Sequence, residues 1–238
     1  DVIADAVLVA SGGFPSLASF NWLADLGHKI VPPVPSLFTF NMPGNQITSL
    51  MGLSVSNALV KINGTKFQQE GPLLITHWGM SGPAILKLSS LGARKLEELN
   101  YQFEITVNWT GKLNQEEIKE FLHSLKKNSP KKAVAQTPST GIPKRLWEYL
   151  VYKAGISDAT IWADFSSKEL NRLSEIIYSD KYTVSGKTTF KEEFVTCGGV
   201  SLKEVDFKTM QSKVVPNLYI AGEVLDIDAL TGGFNFQA

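Results

Sequence analysis

The chain has 238 residues, 43% hydrophobic and 19% charged, which excludes a disordered polymer and provides apolar material for two ordinary domains or one carrying a large insertion. Lys plus Arg and Asp plus Glu both number 23, so no net field favours nucleic acid or an acidic membrane, and neither is expected as a partner. Cys197 is the only cysteine, which excludes an internal disulfide framework, and no apolar stretch approaches the ~20 residues of a membrane span; a cytoplasmic protein is expected.

The apolar run Val7, Leu8 and Val9 reads as a buried parallel strand that stops at Ser11, Gly12 and Gly13. Ser16 is placed to cap a helix over 17–26 that Gly27 terminates, with Leu17, Phe20 and Ala24 on one face. Strand, glycine turn and helix together read as part of a doubly wound α/β sheet. Pro32, Pro33 and Pro35 read as a stiff linker at a domain crossing. Strand signals dominate beyond it: a strand over 37–40, then a hairpin pairing 59–62 with 65–67 through a type I′ turn at Asn63 and Gly64. Further strands are expected over 73–75 and 101–107, and Pro83 opens a helix reaching about residue 99.

Helical spacing marks 116–127, 144–154 and 168–178, with Ser166 and Glu169 as a capping box for the last. Lys126, Lys127, Lys131 and Lys132 bracket a turn at Ser129 and Pro130 and read as a solvated loop. Strands return over 182–184 and 188–195, and 217–221 is another buried strand, ending at Gly222 and Glu223. The order is α/β, then β with a helical excursion, then α/β again, which predicts an insertion within a parallel-sheet domain. The chain lacks an initiator Met, opens on a strand and closes on what reads as a helix start, so both ends are expected to be cuts in a longer protein.

Three glycine-bearing turns have the residue types of a ligand edge. Ser11, Gly12 and Gly13 follow a strand, where missing Cβ atoms let the backbone approach a ligand; an ordinary strand-to-helix turn would look the same. Gly222 and Glu223 place a carboxylate beyond an apolar strand, suited to sugar or polyol hydroxyls. Thr231, Gly232, Gly233, Phe234 and Asn235 then open a helix whose free N–H groups suit an anion. Asp226 and Asp228 stand between them as either ligand contacts or loop and capping residues. Thr196, Cys197, Gly198 and Gly199 form the third turn, at a domain crossing or lining a site; no cation or second cysteine lies near Cys197 in sequence to activate it. His77 lies in a tight strand-to-helix turn or over a ring, and His28 and His123 read as surface residues. No metal-ligand spacing occurs and no catalytic acid or base is marked.

Four of these segments together resemble a bacterial flavoprotein family, the aminoacetone oxidase-like or NAD(P)/FAD-dependent oxidoreductases. They are the Ala-Ser-Gly-Gly at 10–13, Thr-His-Trp-Gly-Met-Ser-Gly-Pro at 76–83, Thr-Cys-Gly-Gly-Val-Ser-Leu-Lys-Glu-Val at 196–205, and Ala-Gly-Glu-Val-Leu-Asp at 221–226 followed by Leu-Thr-Gly-Gly-Phe-Asn at 230–235. The resemblance implies an α+β or α/β protein in which an FAD-binding domain (1–33 and 196–238) is interrupted by an insertion (34–195). The insertion would comprise β-barrel strands over about 34–110 and 181–195 and a helical lobe over about 112–180. FAD would lie against Ser11, Gly12, Gly13, Gly222, Glu223, Asp226, Thr231, Gly232, Gly233, Phe234 and Asn235, with Thr196, Gly198 and Gly199 toward the flavin.

The family's N-terminal Gly-x-Gly-x-x-Gly turn is absent here, and the stretch between Leu17 and Phe20 lacks the Thr-Gly-Asp-Gly-like loop of many relatives. The expected function is therefore a fragment of an FAD-dependent oxidoreductase acting on a small organic substrate, with NAD(P)H as candidate reductant. The isolated chain is expected to be colourless and inactive, FAD belonging to the parent. The rival readings are a non-catalytic barrel module that binds a protein or RNA partner, and a flavin-free scaffold.

Overall fold

The computed structural model describes residues 3–138, 141–188 and 195–229. Its first elements are β1 (Val7–Val9), a 3₁₀ turn (Leu17–Phe20) running into α1 (Asn21–Asp25), β2 (Ile30–Ser36), β3 (Thr39–Asn41), β4 (Ser54–Ile62), β5 (Gln68–Ile75) and β6 (Gly79–Ser81). There follow α2 (Pro83–Leu91), α3 (Ala93–Glu98), β7 (Gln102–Asn108), α4 (Gln115–Asn128), α5 (Lys144–Lys153), α6 (Ser167–Tyr178), β8 (Asp180–Ser185) and β9 (Lys187–Thr188). The last are β10 (Val195–Val200), β11 (Val205–Asp206), β12 (Gln211–Ser212) and β13 (Leu218–Ile220). The chain divides into two units. One gathers the described residues of Asp1–Phe38, Ser89–Asn100 and Thr188–Ala238, the other those of Thr39–Leu88 and Tyr101–Lys187.

In the first unit a sheet runs β1-β13-β12-β11. β1 and β13 are parallel, Val7 opposite Leu218 and Val9 opposite Ile220, so segments remote in sequence end at the same edge. Phe20, Leu23, Val200, Val205, Ile220, Val224 and Leu225 form its core. β1 is less buried than its composition predicts: Val9 is buried, but Val7 and Leu8 are exposed, because among the described residues β1 is the sheet's edge.

The expected helix over 17–26 is shorter and turned differently. Phe20 and Leu23 are its buried pair, whereas Leu17 and Ala24 are exposed. The Ser16 hydroxyl lies 3.0 Å from that of Ser19 and caps no backbone N–H, leaving the first turn as a tight 3₁₀ segment. Gly27 does end the helix, at φ +97°.

The three prolines are not a linker. They lie in β2, which pairs antiparallel with β10, Pro35 opposite Thr196 and Val31 opposite Gly199. Prolines without N–H groups are tolerated because, among the described residues, β2 has one strand partner and the ladder shifts at a bulge between Cys197 and Gly199. The segment 196–200, read from sequence as a turn, is accordingly bulged strand. Its glycines permit close backbone approach: a Cβ on Gly198 would lie 2.5 Å from Pro32 O, and one on Gly199 2.5 Å from Val224 O. His28, expected at the surface, is buried between Glu204 and Ser212, with Nδ1 3.2 Å from the carboxylate and Nε2 3.2 Å from the hydroxyl.

In the second unit the strand order is β8-β7-β4-β5-β6-β3-β9. The two end strands, β8 and β9, are separated in sequence only by Gly186, so the sheet comes round on itself. β7 alternates as its sequence predicts, with Phe103, Ile105 and Val107 buried and Gln102 and Glu104 exposed. The hairpin of β4 and β5 forms, but not through a type I′ turn: Gly64 has φ +73°, Asn63 does not have positive φ, and pairing resumes at Gln68 opposite Lys61. The strand expected over 37–40 starts at Thr39, the helix expected to 99 breaks at Gly92 into α2 and α3, and His77 lies in a strand-to-strand turn between β5 and β6.

The helices α4 and α6 both start with complete capping boxes, Asn114 with Glu117 and Ser166 with Glu169. Beneath them Asp180, almost fully buried, accepts hydrogen bonds from Trp109 Nε1 (3.1 Å), the Tyr182 hydroxyl (2.5 Å) and Lys153 Nζ (2.5 Å). A buried carboxylate is tolerable when its charge and lone pairs are met in this way. Among the described residues no helix is long and apolar enough to cross a membrane.

Candidate cofactor site

At the edge where β1 and β13 end together, Ala221 N donates to Val9 O at 3.0 Å, and each strand passes into a glycine-bearing turn. Gly12 has φ +77° and Gly222 φ +78°, conformations that favour glycine. Among the described residues a Cβ on either would meet nothing within 4 Å, leaving bare backbone accessible there. Gly13 is the opposite case. Its Cβ would lie 3.6 Å from both Cβ and O of Glu223 and 2.4 Å from Thr196 Oγ1. The fold thus brings Gly12, Gly13, Thr196, Gly222 and Glu223 into one neighbourhood, with exposed Ser11 at its rim. Glu223 is 5% exposed, and the Thr196 hydroxyl is buried without a hydrogen-bond partner among the described residues. Thr231, Gly232, Gly233, Phe234 and Asn235 lie outside the described residues.

Asp226 lies on a neighbouring cluster. Its N–H donates to Val200 O at 2.9 Å, and its carboxylate is 3.7 Å from Arg94 Nη2. Burial raises the Asp226 pKa; Arg94 opposes the rise and Asp228 adds to it. Asp228 is more than a loop residue, since its Oδ1 accepts hydroxyls from Ser36 (2.9 Å) and Ser90 (3.1 Å). Burial, with the negative charge of Asp228 next, pushes the Cys197 thiol up to about 12 against the pull of Arg94. This is a thiol held protonated, not an activated nucleophile. Arg94, Ser36 and Ser90 carry no motif, and only the folding of distant segments onto β10 assembles them. Thr196, by contrast, was marked in sequence by its place in a Thr-Cys-Gly-Gly turn.

Among the described residues, a buried hydroxyl without a partner, two left-handed glycines with no neighbour at the Cβ position and a buried carboxylate are donors, acceptors and bare backbone suited to a long ligand rich in hydroxyls and phosphates. The residues present fit FAD. Gly12, Gly13 and Gly222 would let the backbone close on it, Glu223 would accept ribose or ribityl hydroxyls, and Thr196 would gain a partner.

The fold is mixed α/β, and a family model described as HI0933-like protein barrel and H2TH domain matches residues 34–195. The chain belongs to this HI0933-like family. It is 30% identical over 239 residues to the "Ribosomal RNA dihydrouridine synthase" of Haemophilus influenzae, covering 97% of this chain and 56% of that protein. The protein of the same name from Escherichia coli is 28% identical over 242 residues, covering 98% of this chain and 57% of its own length. The "3-dehydro-bile acid delta(4,6)-reductase" of Clostridium scindens is 24% identical over 243 residues, covering 98% and 59%. The chain therefore spans little more than half the length of these relatives. Their names replace aminoacetone oxidase as the more specific likeness.

They also overturn the expectation that nucleic acid is no partner, since two relatives are named for ribosomal RNA. That expectation rested on a formal net charge of zero. A whole-chain sum does not report how individual bases are recognised, which proceeds by stacking and hydrogen bonds to their edges.

Proposed function

We propose that this chain is part of an FAD-dependent oxidoreductase that reduces a carbon–carbon double bond conjugated to a carbonyl, with a uracil base of RNA as the substrate. Dihydrouridine differs from uridine by such a reduction, and a delta(4,6)-reductase acts on the same kind of bond, so both relatives' names share one chemistry. A ribosomal RNA substrate would place the protein in the cytoplasm. When bound and reduced by a nicotinamide dinucleotide, the flavin would supply the hydride, and a solvent proton would complete the addition. The chain's own contribution is to hold and orient: the turns at 11–13 and 222–223 bind through backbone and carboxylate, and the buried Thr196 hydroxyl fixes one edge. In this reading 1–33 and 196–238 belong to the FAD-binding domain and 34–195 is inserted within it. The span matched by the family model supports that division, although β2, Ile30–Ser36, straddles its first boundary.

The observation that carries the proposal is the convergence of Gly12, Gly13, Gly222 and Glu223 at the ends of two paired parallel strands. The test is FAD retention and uridine reduction in the full-length protein. Glu223→Ala should loosen FAD several-fold or more and slow reduction in step. Unchanged flavin affinity would remove the cofactor reading, while intact flavin binding with no reduction of RNA in the unsubstituted protein would remove the substrate reading alone.

A further inference from the structure

Within the second unit, the turn over 76–79 holds an aromatic pair outward on a rigid mount. Thr76 Oγ1 accepts the N–H groups of Trp78 and Gly79, both at 3.2 Å, and Thr76 N–H donates to Gly79 O at 2.8 Å. Trp78 O in turn accepts Met42 N–H at 2.8 Å. Gly79 has φ +152°, and a Cβ there would lie 2.2 Å from Phe40 O, so the turn sits hard against β3. On this mount the His77 and Trp78 rings are 4.6 Å apart, tilted by 43°. Trp109, Trp147 and Trp162 are fully buried, whereas Trp78 is 47% exposed. Among the described residues the His77 ring has no hydrogen-bond partner.

Beside the pair is a cleft of about 340 Å³, lined by Asn41, Met42, Thr48, His77, Trp78 and Ser185 among others. That volume suits a small-molecule group. Among the described residues, no lining residue other than His77 is ionisable, so the cleft suits a neutral ring rather than a phosphate. Amide and hydroxyl groups border it, as the edge of a heterocycle requires.

We infer that this cleft takes one unstacked base of single-stranded RNA, stacked on Trp78 and flanked by His77. The inference rests on the RNA reading of the proposed function and names where the strand is gripped. Exposed, pre-positioned aromatic rings are the usual platform for splayed-out bases, and their affinity comes from the base rather than the backbone.

The test uses full-length, FAD-loaded protein and a short fluorescein-labelled oligouridine, read by anisotropy, with an abasic oligonucleotide of the same length as comparison. Trp78→Ala should weaken oligouridine binding about tenfold, Trp78→Phe should restore most of it, and the abasic strand should bind the unsubstituted protein as weakly as oligouridine binds the alanine variant. Equal affinity of the abasic strand, or of Trp78→Ala with an unchanged melting temperature, overturns the inference while leaving RNA as the substrate. Failure of the unsubstituted protein to bind oligouridine overturns both. If Trp78→Ala does not fold, Trp78→Phe and the abasic strand decide alone.

Discussion

Gly13 lies directly against Thr196: a Cβ on the glycine would be 2.4 Å from the threonine hydroxyl, which is itself fully buried. The contact joins the turn after β1 to strand β10, so glycine at 13 and threonine at 196 are a matched pair.

Gly13→Ala should destabilise the protein by about 1–3 kcal/mol, the range for overpacking a close contact, and the double variant with Thr196→Ala should recover much of this. Thermal or urea unfolding of the four proteins measures it. Additive losses would show that the two positions are not coupled.

The same hydroxyl has no hydrogen-bond partner among the described residues. Thr196→Val keeps the shape and removes the unpaired group, so the flavin-free protein should become more stable by about 1 kcal/mol. FAD affinity should fall in the same variant. A variant that is stabilised yet binds FAD unchanged would assign Thr196 to packing alone.

Lys153 and Asp180 make the second matched pair, joining α5 to β8 at 2.5 Å. Lys153 is partly exposed, so Lys153→Met should cost only about 2 kcal/mol, below the usual range for breaking a buried pair. Asp180→Ala should cost about 3–5 kcal/mol, because Trp109 and Tyr182 lose their shared acceptor. Denaturant titrations that ranked the two in the reverse order would contradict this account of the network.

Cys197 should resist alkylation. Its thiol pKa of about 12 lies above the unfolded value near roughly 8.5, so its contribution to stability is complete below that unfolded value and is lost as pH rises toward about 12. At mildly alkaline pH, iodoacetamide should modify the folded protein roughly a hundredfold more slowly than the unfolded chain. Comparable rates would mean that Asp228 and burial do not control the thiol.

At the start of α6 the Ser166 hydroxyl accepts Glu169 N–H at 3.2 Å while Glu169 Oε2 accepts Ser166 N–H at 2.8 Å. Ser166→Ala should cost about 1 kcal/mol. The hydrogen bonds from Ser166 lower the Glu169 pKa, so this carboxylate's contribution is present at neutral pH and is lost as pH falls through the lowered value. A Ser166→Ala protein whose acid-unfolding midpoint is unchanged would contradict the coupling.

Much of the fold was legible because its signals are local. The alternation in β7 and the capping box of α6 depend on residues a few positions apart, where side-chain direction and backbone hydrogen bonding act directly. Even the turn at Gly12 and Gly13 could be located, since glycine at a strand end is a local request for bare backbone.

Three kinds of feature could not be read this way. Pro32, Pro33 and Pro35 resemble a linker until β10 supplies a bulged partner that does not need their missing N–H groups. His28 looks like a surface residue until Glu204 and Ser212 close on it. The cluster of Ser36, Ser90, Arg94, Cys197 and Asp228 has no spacing at all in the sequence.

The amino-acid sequence by itself determined the strongly patterned segments, such as β7, α6 and the glycine turn after β1, because periodicity, capping and backbone freedom operate within a few residues. Tertiary structure alone decided that Gly13 meets Thr196, that the turns after β1 and β13 share one edge, and which polar groups are buried with a partner. Those outcomes depend on strand pairing between distant segments, and burial then sets the worth of each charge and hydrogen bond.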